Sequence, residues 1–258
     1  MRLVLKFGGT SLSDPQRIRV AAGRIADLAG KGIQVVAVVS ARGHTTDGLL
    51  EDVAQLCPAG ADPRELDACL ATGEQLSAAL MAMTVESLGV PAISLTGWQA
   101  GLLTDGVFGN AKISGLQSDR IQRELSAGKV VIMAGFQGVS PEGEITTLGR
   151  GGSDTTAVAL AALLKAQLCR IYTDVDGVYD KDPRKYPDAV KIPLIGYDRM
   201  LAMAREGAQV LHDRCVEWGK EYGVPIQVLS SFRPGQGTYV TDLPDALLTD
   251  IIKDIPPG

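Results

Sequence analysis

Short apolar runs rich in β-branched residues alternate along this chain with longer stretches whose apolar positions recur at helical spacing. The strand-like runs are Leu3–Phe7, Val35–Val39, Ala92–Leu95, Val130–Ala134, Arg170–Thr173 and Ile226–Leu229. Several are apolar throughout, the pattern of strands covered on both faces. Between them, Ser13-Asp14-Pro15-Gln16 reads as N-cap, early proline and capping-box glutamine, and that helix stops at Gly30-Lys31-Gly32. Pro63 to Leu88 reads as one or two helices closed by Gly89, Thr155 to Lys165 as another, and residues 198–206 and 213–222 as two more. Strands alternating with helices predict an α/β fold, a three-layer αβα sandwich around a mainly parallel sheet. Ser140-Pro141-Glu142-Gly143, between Val139 and Ile145, predicts a hairpin turn and an antiparallel excursion. The tail from Leu243 to Gly258 carries two apolar patches, and its pattern assigns it no role.

Composition changes this picture little. At 258 residues the chain can bury a substantial core. A net charge of -5 leaves no basic footprint for nucleic acid or an anionic membrane. No apolar run is long enough to span a bilayer, and the start lacks a secretory pattern. Cys57, Cys69, Cys169 and Cys215 form no CxxC pair, so reduced thiols in a cytoplasmic protein are expected. No metal-ligand spacing occurs, and His44 and His212 are read as structural or surface residues.

Three segments carry candidate chemistry. Lys6-Phe7-Gly8-Gly9-Thr10-Ser11 leaves an apolar strand and enters a capped helix. Glycine N–H groups can approach an anion closely there and a lysine adds charge, although a tight strand–helix turn with an exposed lysine has the same pattern. Neither a Walker A loop nor GxGxxG occurs. The second segment, Thr146 to Thr156, sets Arg150 among three glycines ahead of an apolar helix. Arg150 suits bidentate binding of a carboxylate, while Asp154 reads either as a site residue or as a helix N-cap. The third, Ile171 to Arg184, ends a strand in acids, a glycine and a basic loop, a position suited to a nucleotide in an open α/β sheet. Its acids do not complete a calcium loop.

Together KFGGTS, TTLGRGGSDTTA and YTDVDGVYDKDPR resemble the signature blocks of aspartate kinases, members of the amino-acid kinase fold. The resemblance runs from about residue 2 to residue 240. It implies Mg²⁺-dependent transfer of the ATP γ-phosphoryl group to the side-chain carboxylate of L-aspartate. Lys6, Gly8 and Gly9 would hold the transferring phosphates. Ser40, Thr72 and Glu74 would line the aspartate pocket, with Glu74 facing the ammonium. Arg150 would clamp a substrate carboxylate, and Asp154 would order the site around Lys6. Thr173, Asp174 and Tyr179 would contact adenine or ribose, with Lys181 and Arg184 near the phosphates. The single domain would divide into an amino-acid-binding part, about residues 1–149, and an ATP-binding part, about 150–258. A homodimer, and a place in lysine, threonine and methionine synthesis or a specialised pathway, are also implied. The chemistry fits: a carboxylate nucleophile is already ionised at neutral pH and needs charge neutralisation and alignment, not a strong base.

Two departures from the family pattern stand out. Gln209 replaces a lysine that in many relatives reaches the nucleotide phosphates, and His212-Asp213 replaces His-Pro. The paired ACT modules of typical aspartate kinases are absent from the sequence, so no feedback inhibition by lysine or threonine is expected without a separate regulatory subunit. Two other readings stand beside the kinase. One is a kinase for another small acid, such as an N-acylated glutamate. The other is a weakly active nucleotide- or amino-acid-binding subunit.

Overall fold

The computed structural model describes residues 1–183, 185–206, 210–256 and 258. The first half builds β1 (Arg2–Phe7), α1 (Pro15–Gly30), β2 (Gln34–Val39), α2 (Thr45–Leu56), α3 (Pro63–Ser87), β3 (Ala92–Leu95), β4 (Leu102–Thr104), β5 (Ile113–Leu116), α4 (Asp119–Ser126) and β6 (Val130–Ala134). A hairpin follows, β7 (Gln137–Val139) and β8 (Ile145–Thr147), then α5 (Gly152–Leu163) and β9 (Leu168–Thr173). The remainder comprises β10 (Val178–Tyr179), β11 (Lys191–Ile192), β12 (Leu194–Ile195), α6 (Tyr197–Arg205), α7 (Asp213–Tyr222), β13 (Ile226–Ser230), β14 (Thr238–Val240) and α8 (Asp245–Ile252).

Eight strands form the main sheet in the order β12-β14-β13-β9-β1-β2-β6-β3. Every pairing in it is parallel except β13 with β14. The αβα sandwich read from the alternation is therefore the architecture observed. The strand side chains explain why it holds. Leu3, Leu5, Phe7, Val35, Ala37 and Val39 pack with α1 and α3, while Val4, Val36, Val38, Met133 and Ile171 pack with α4, α5, α6 and α7. The central strands β1, β2, β6, β9 and β13 thus bury both of their faces, and no polar alternation could serve there. Full burial of a leucine or phenylalanine contributes roughly 1.5–3 kcal/mol, so this doubled core is the main stabilising feature.

The hairpin turn is present, with β7 and β8 antiparallel in a smaller sheet ordered β5-β4-β7-β8. Pro63 to Leu88 is one helix, not two. Its N-cap Asp62 accepts from the N–H groups of Arg64 and Glu65. Two helix starts differ from the sequence reading. Asp14, not Ser13, caps α1, because its carboxylate accepts from the Arg17 N–H at 2.9 Å, and Gln16 therefore falls outside a capping box. Helix α5 begins at Gly152, three residues before Thr155, because Gly151 at φ 69° turns the chain into it. The tail does pack: Ile251 of α8 and Ile255 just beyond it cover the α1 side. Buried Arg170 donates to Gln227 and, at 2.6 Å, to the Pro256 carbonyl, satisfying its guanidinium and tethering the tail.

Met81 lies fully buried where α3 meets the sheet. Met81→Ala is expected to remove about 3 kcal/mol of stability, seen as a lower urea midpoint with an unchanged slope.

Candidate active site

All strands of the main sheet except β12 and β14 run the same way, so β1, β2, β6, β9 and β13 deliver their carboxyl ends to one edge. Along β1, Val4 faces α5, and strand parity puts Lys6 on that same face. Asp154 stands in the first turn of α5, where the helix dipole favours an anion. The two side chains meet, Lys6 Nζ lying 2.7 Å from Asp154 Oδ1 with both largely buried. Asp154 is not the N-cap, a position held by Gly151.

From the opposite wall, α3 presents Glu74, which is 4% exposed. Its Oε1 accepts from the Ala41 N–H at 2.8 Å, and its buried Oε2 has no partner among the described residues. Burial pushes the carboxyl up from 4.5 to about 7, against the opposing pull of the Ala41 N–H. Seven residues earlier on the same helix, buried Asp67 accepts from the Gly109 N–H at 2.9 Å and from the Thr147 N–H and hydroxyl at 2.7 Å each. Arg150, between Gly149 and Gly151, is exposed, and its guanidinium has no partner among the described residues. Gly151 leaves no room for a Cβ, which would lie 2.3 Å from the His212 ring.

These elements enclose an open cavity of about 590 Å³ lined by Lys6, Ser40, Glu74, Arg150 and Asp154, together with Asp67. A space of that size suits a small metabolite with several convergent polar groups. Its unpaired guanidinium supplies local positive charge inside an acidic protein, and Glu74 supplies a separate acidic pole.

The structure distributes the remaining candidates differently. Thr72 is exposed outside this cavity, with its hydroxyl donated to the Cys69 carbonyl at 2.7 Å. The Gly8 N–H is already donated to the Tyr172 carbonyl at 3.3 Å. A Cβ on Gly8 would come within 3.3 Å of Lys6 Nζ, and one on Gly9 within 2.6 Å of the Ala41 carbonyl oxygen. Glycine at position 9 therefore lets β1 and the loop after β2 approach, whatever else it holds. Beyond β9, Asp174 is exposed and its carboxylate accepts from the Thr173 hydroxyl at 3.2 Å. The Tyr179 hydroxyl donates to Asp176, which Lys191 also pairs at 2.7 Å. Lys181 pairs with Asp188 at 2.6 Å. Arg184 and Gln209 lie outside the described residues. His44 is exposed beside Asp47, whereas His212 seats its ring against the glycine turn.

Sequence reasoning missed Asp67, Thr147, Phe136 and Ser153, all of which line the cavity. Asp67 had a readable signal: an acid two helical turns before Glu74, on a face shared with Leu70.

The amino acid kinase family model matches residues 1–230, and the chain belongs to that family. It is similar to aspartokinases. It is 53% identical to that of Geobacillus stearothermophilus over 93% of this chain and 59% of that protein. Against that of Mycobacterium tuberculosis it is 50% identical over 98% of this chain and 61% of that protein. The chain thus spans about three-fifths of the length of these curated relatives. Among solved structures, aspartate kinase from Synechocystis superposes with a TM-score of 0.83 at 45% identity, covering 95% of this chain and 40% of that one. E. coli aspartokinase III, solved with aspartate and ADP, gives 0.84 at 28%, covering 95% and 65%. Uridylate kinase from Archaeoglobus fulgidus shares the fold alone, at 0.67 and 22%, covering 93% of this chain and 100% of that one.

The Glu74 carboxyl is expected to titrate near 7, read by its carbon-13 carboxyl signal, with Glu74→Gln identifying the resonance. Between pH 4.5 and 7 the folded state keeps a proton that the unfolded chain has lost, so this group's contribution to stability declines as pH rises through that window. Glu74→Gln should flatten that part of the profile.

Proposed function

We propose that this chain is the catalytic part of an aspartate kinase, converting ATP and L-aspartate to ADP and 4-phospho-L-aspartate. The observation that carries the reading is the free, buried Glu74 oxygen in one cavity with the unpaired Arg150 and the Lys6–Asp154 pair. An amino acid substrate brings an ammonium and carboxylates, and the cavity offers one acidic and two basic groups to receive them. In this reading Glu74 takes the ammonium, because it keeps an unpartnered oxygen while Asp154 is paired with Lys6 and Asp67 is bound to backbone donors. Arg150 forks onto a substrate carboxylate and Ser40 adds a hydroxyl donor. The side-chain carboxylate then attacks the γ-phosphorus of ATP. A new carboxyl O–P bond forms, the bond from the γ-phosphorus to the β–γ bridging oxygen breaks, and ADP leaves with that electron pair. Lys6 sits where the transferred charge accumulates, and Asp154 holds its ammonium in place against rotation.

The amino-acid half, about residues 1–149, and the nucleotide half, about 150–258, meet across this cavity. Thr173, Asp174 and Tyr179 at the β9 end receive adenine and ribose. Lys181 exchanges Asp188 for the phosphates, with Arg184 beside it, and Gly8 and Gly9 shape the turn beneath them. Magnesium would arrive with ATP, and among the described residues no cluster of three or more His, Cys, Asp or Glu is placed to hold a metal by itself. It neutralises phosphate charge when bound. The relatives' names support aspartate as the acceptor; a cytoplasmic biosynthetic role and a homodimer rest on the resemblance of the sequence motifs alone.

Purified protein with Mg-ATP, hydroxylamine and L-aspartate is expected to give an aspartyl hydroxamate. Lys6→Ala should lower the rate at least about 100-fold, and N-acetylglutamate should give no product. Product from the N-acylated acid alone would transfer the reading to another acceptor. ATP binding with no product from either would leave a binding subunit.

A further inference from the structure

Arg214 stands in the first turn of α7, outside the cavity, yet its guanidinium reaches the two segments that border it. Nη1 donates to the Leu148 carbonyl at 2.6 Å and to the Asn110 side-chain oxygen at 3.1 Å, and Nη2 donates to the Ala111 carbonyl at 2.6 Å. No carboxylate pairs with this guanidinium among the described residues, so its fork is committed entirely to neutral acceptors. Asp67 grips the same two segments with the opposite chemistry, accepting from the Gly109 N–H and from the Thr147 N–H and hydroxyl. Its carboxylate has no cationic partner among the described residues. The segments also bond each other, the Ala111 N–H donating to the Thr147 carbonyl at 2.9 Å. Gly149 then lies so close to them that a Cβ would come within 3.0 Å of Asn110 Oδ1 and 3.1 Å of the Gly109 carbonyl oxygen.

We infer that Asp67 and Arg214 are positioning residues, an acid and a base that clamp Gly109–Ala111 against Thr147–Leu148 and so fix the Gly149–Gly152 turn. That turn carries Arg150 and opens α5, whose Asp154 must reach Lys6. Charge-assisted hydrogen bonds are roughly twice as strong as neutral ones, and here they are spent on backbone groups bordering the cavity. Asp67 shares α3 with Glu74, whereas Arg214 belongs to α7, so the clamp ties the Glu74 wall to the part assigned to the nucleotide. A lysine at 214 would keep the charge but could not bridge three acceptors in a planar fork. The catalytic consequence rests on the aspartate kinase reading; the clamp does not.

The test compares wild type with Asp67→Asn, Arg214→Gln, Arg214→Lys and the Asp67→Asn/Arg214→Gln double variant, each assayed below its own unfolding transition. Amide hydrogen exchange of residues 149–154, to none of which either side chain hydrogen-bonds, is expected to quicken about tenfold in every variant. The kcat/KM for aspartate should fall about 100-fold in Arg214→Gln and nearly as far in Arg214→Lys. The double variant should lose little more than the worse single, because both act through one turn. Unchanged exchange and kcat/KM in folded variants would overturn the clamp, as would full activity in Arg214→Lys or strictly additive losses. If wild type transfers nothing to aspartate, the functional reading falls while the exchange measurement still decides the clamp. Should Asp67→Asn not fold, Arg214→Gln carries the comparison.

Discussion

The pairing of Lys6 with Asp154 joins the two things that the rest of the molecule exists to bring together, the end of a central strand and the start of a helix above it. Strand β1 sits in the middle of the sheet between β9 and β2, with apolar side chains on both faces. The last residue of that strand to face α5 is a lysine, and it can be buried there only because a carboxylate meets it. The first turn of α5 supplies that carboxylate at a helix end already favourable to anions. Everything upstream of the helix, from the hairpin β7–β8 to the glycine turn, determines where that end falls.

Around this pair the cavity keeps its charges apart. Arg150 is exposed on a turn whose backbone is fixed by neighbours, so the guanidinium can meet a ligand without losing a partner. Glu74 is buried on a helix and half satisfied by the Ala41 N–H. Its neighbour along the helix, Asp67, has every available donor and serves the backbone. Two acids on one helical face thus take different roles because donors meet both oxygens of Asp67 and only one oxygen of Glu74.

Much of this was legible in the sequence, and the reasons differ by element. The central strands were readable because burial on both faces leaves uninterrupted apolar runs such as Val130–Ala134, which is β6 residue for residue. Lys6, Ser40, Glu74, Arg150 and Asp154 were named through family motifs and do converge on one cavity. Elements with little burial or length escaped. Helix α2 has no buried residue, and β10, β11 and β12 are two residues each, too short for any period to show. The Asp14 cap was misassigned by one residue because Ser13 and Asp14 are both good capping types and only the geometry chooses. Thr72 stands two residues before Glu74 in the same motif, yet helical rotation turns it outward. Arg214 was invisible because its partners lie 66 to 104 residues away in sequence and two of the three are backbone carbonyls, which carry no sequence signature.

The central claim is that a buried, proton-bearing Glu74 reads the ammonium of an amino acid acceptor. Calorimetric titration of L-aspartate into the protein at pH 6, in two buffers of different ionisation enthalpy, tests it directly. The account predicts release of about one proton per aspartate bound, because a carboxyl titrating near 7 must ionise to pair with the ammonium, and no release from Glu74→Gln. Binding without proton release, or equal binding of N-acetylaspartate, would contradict it.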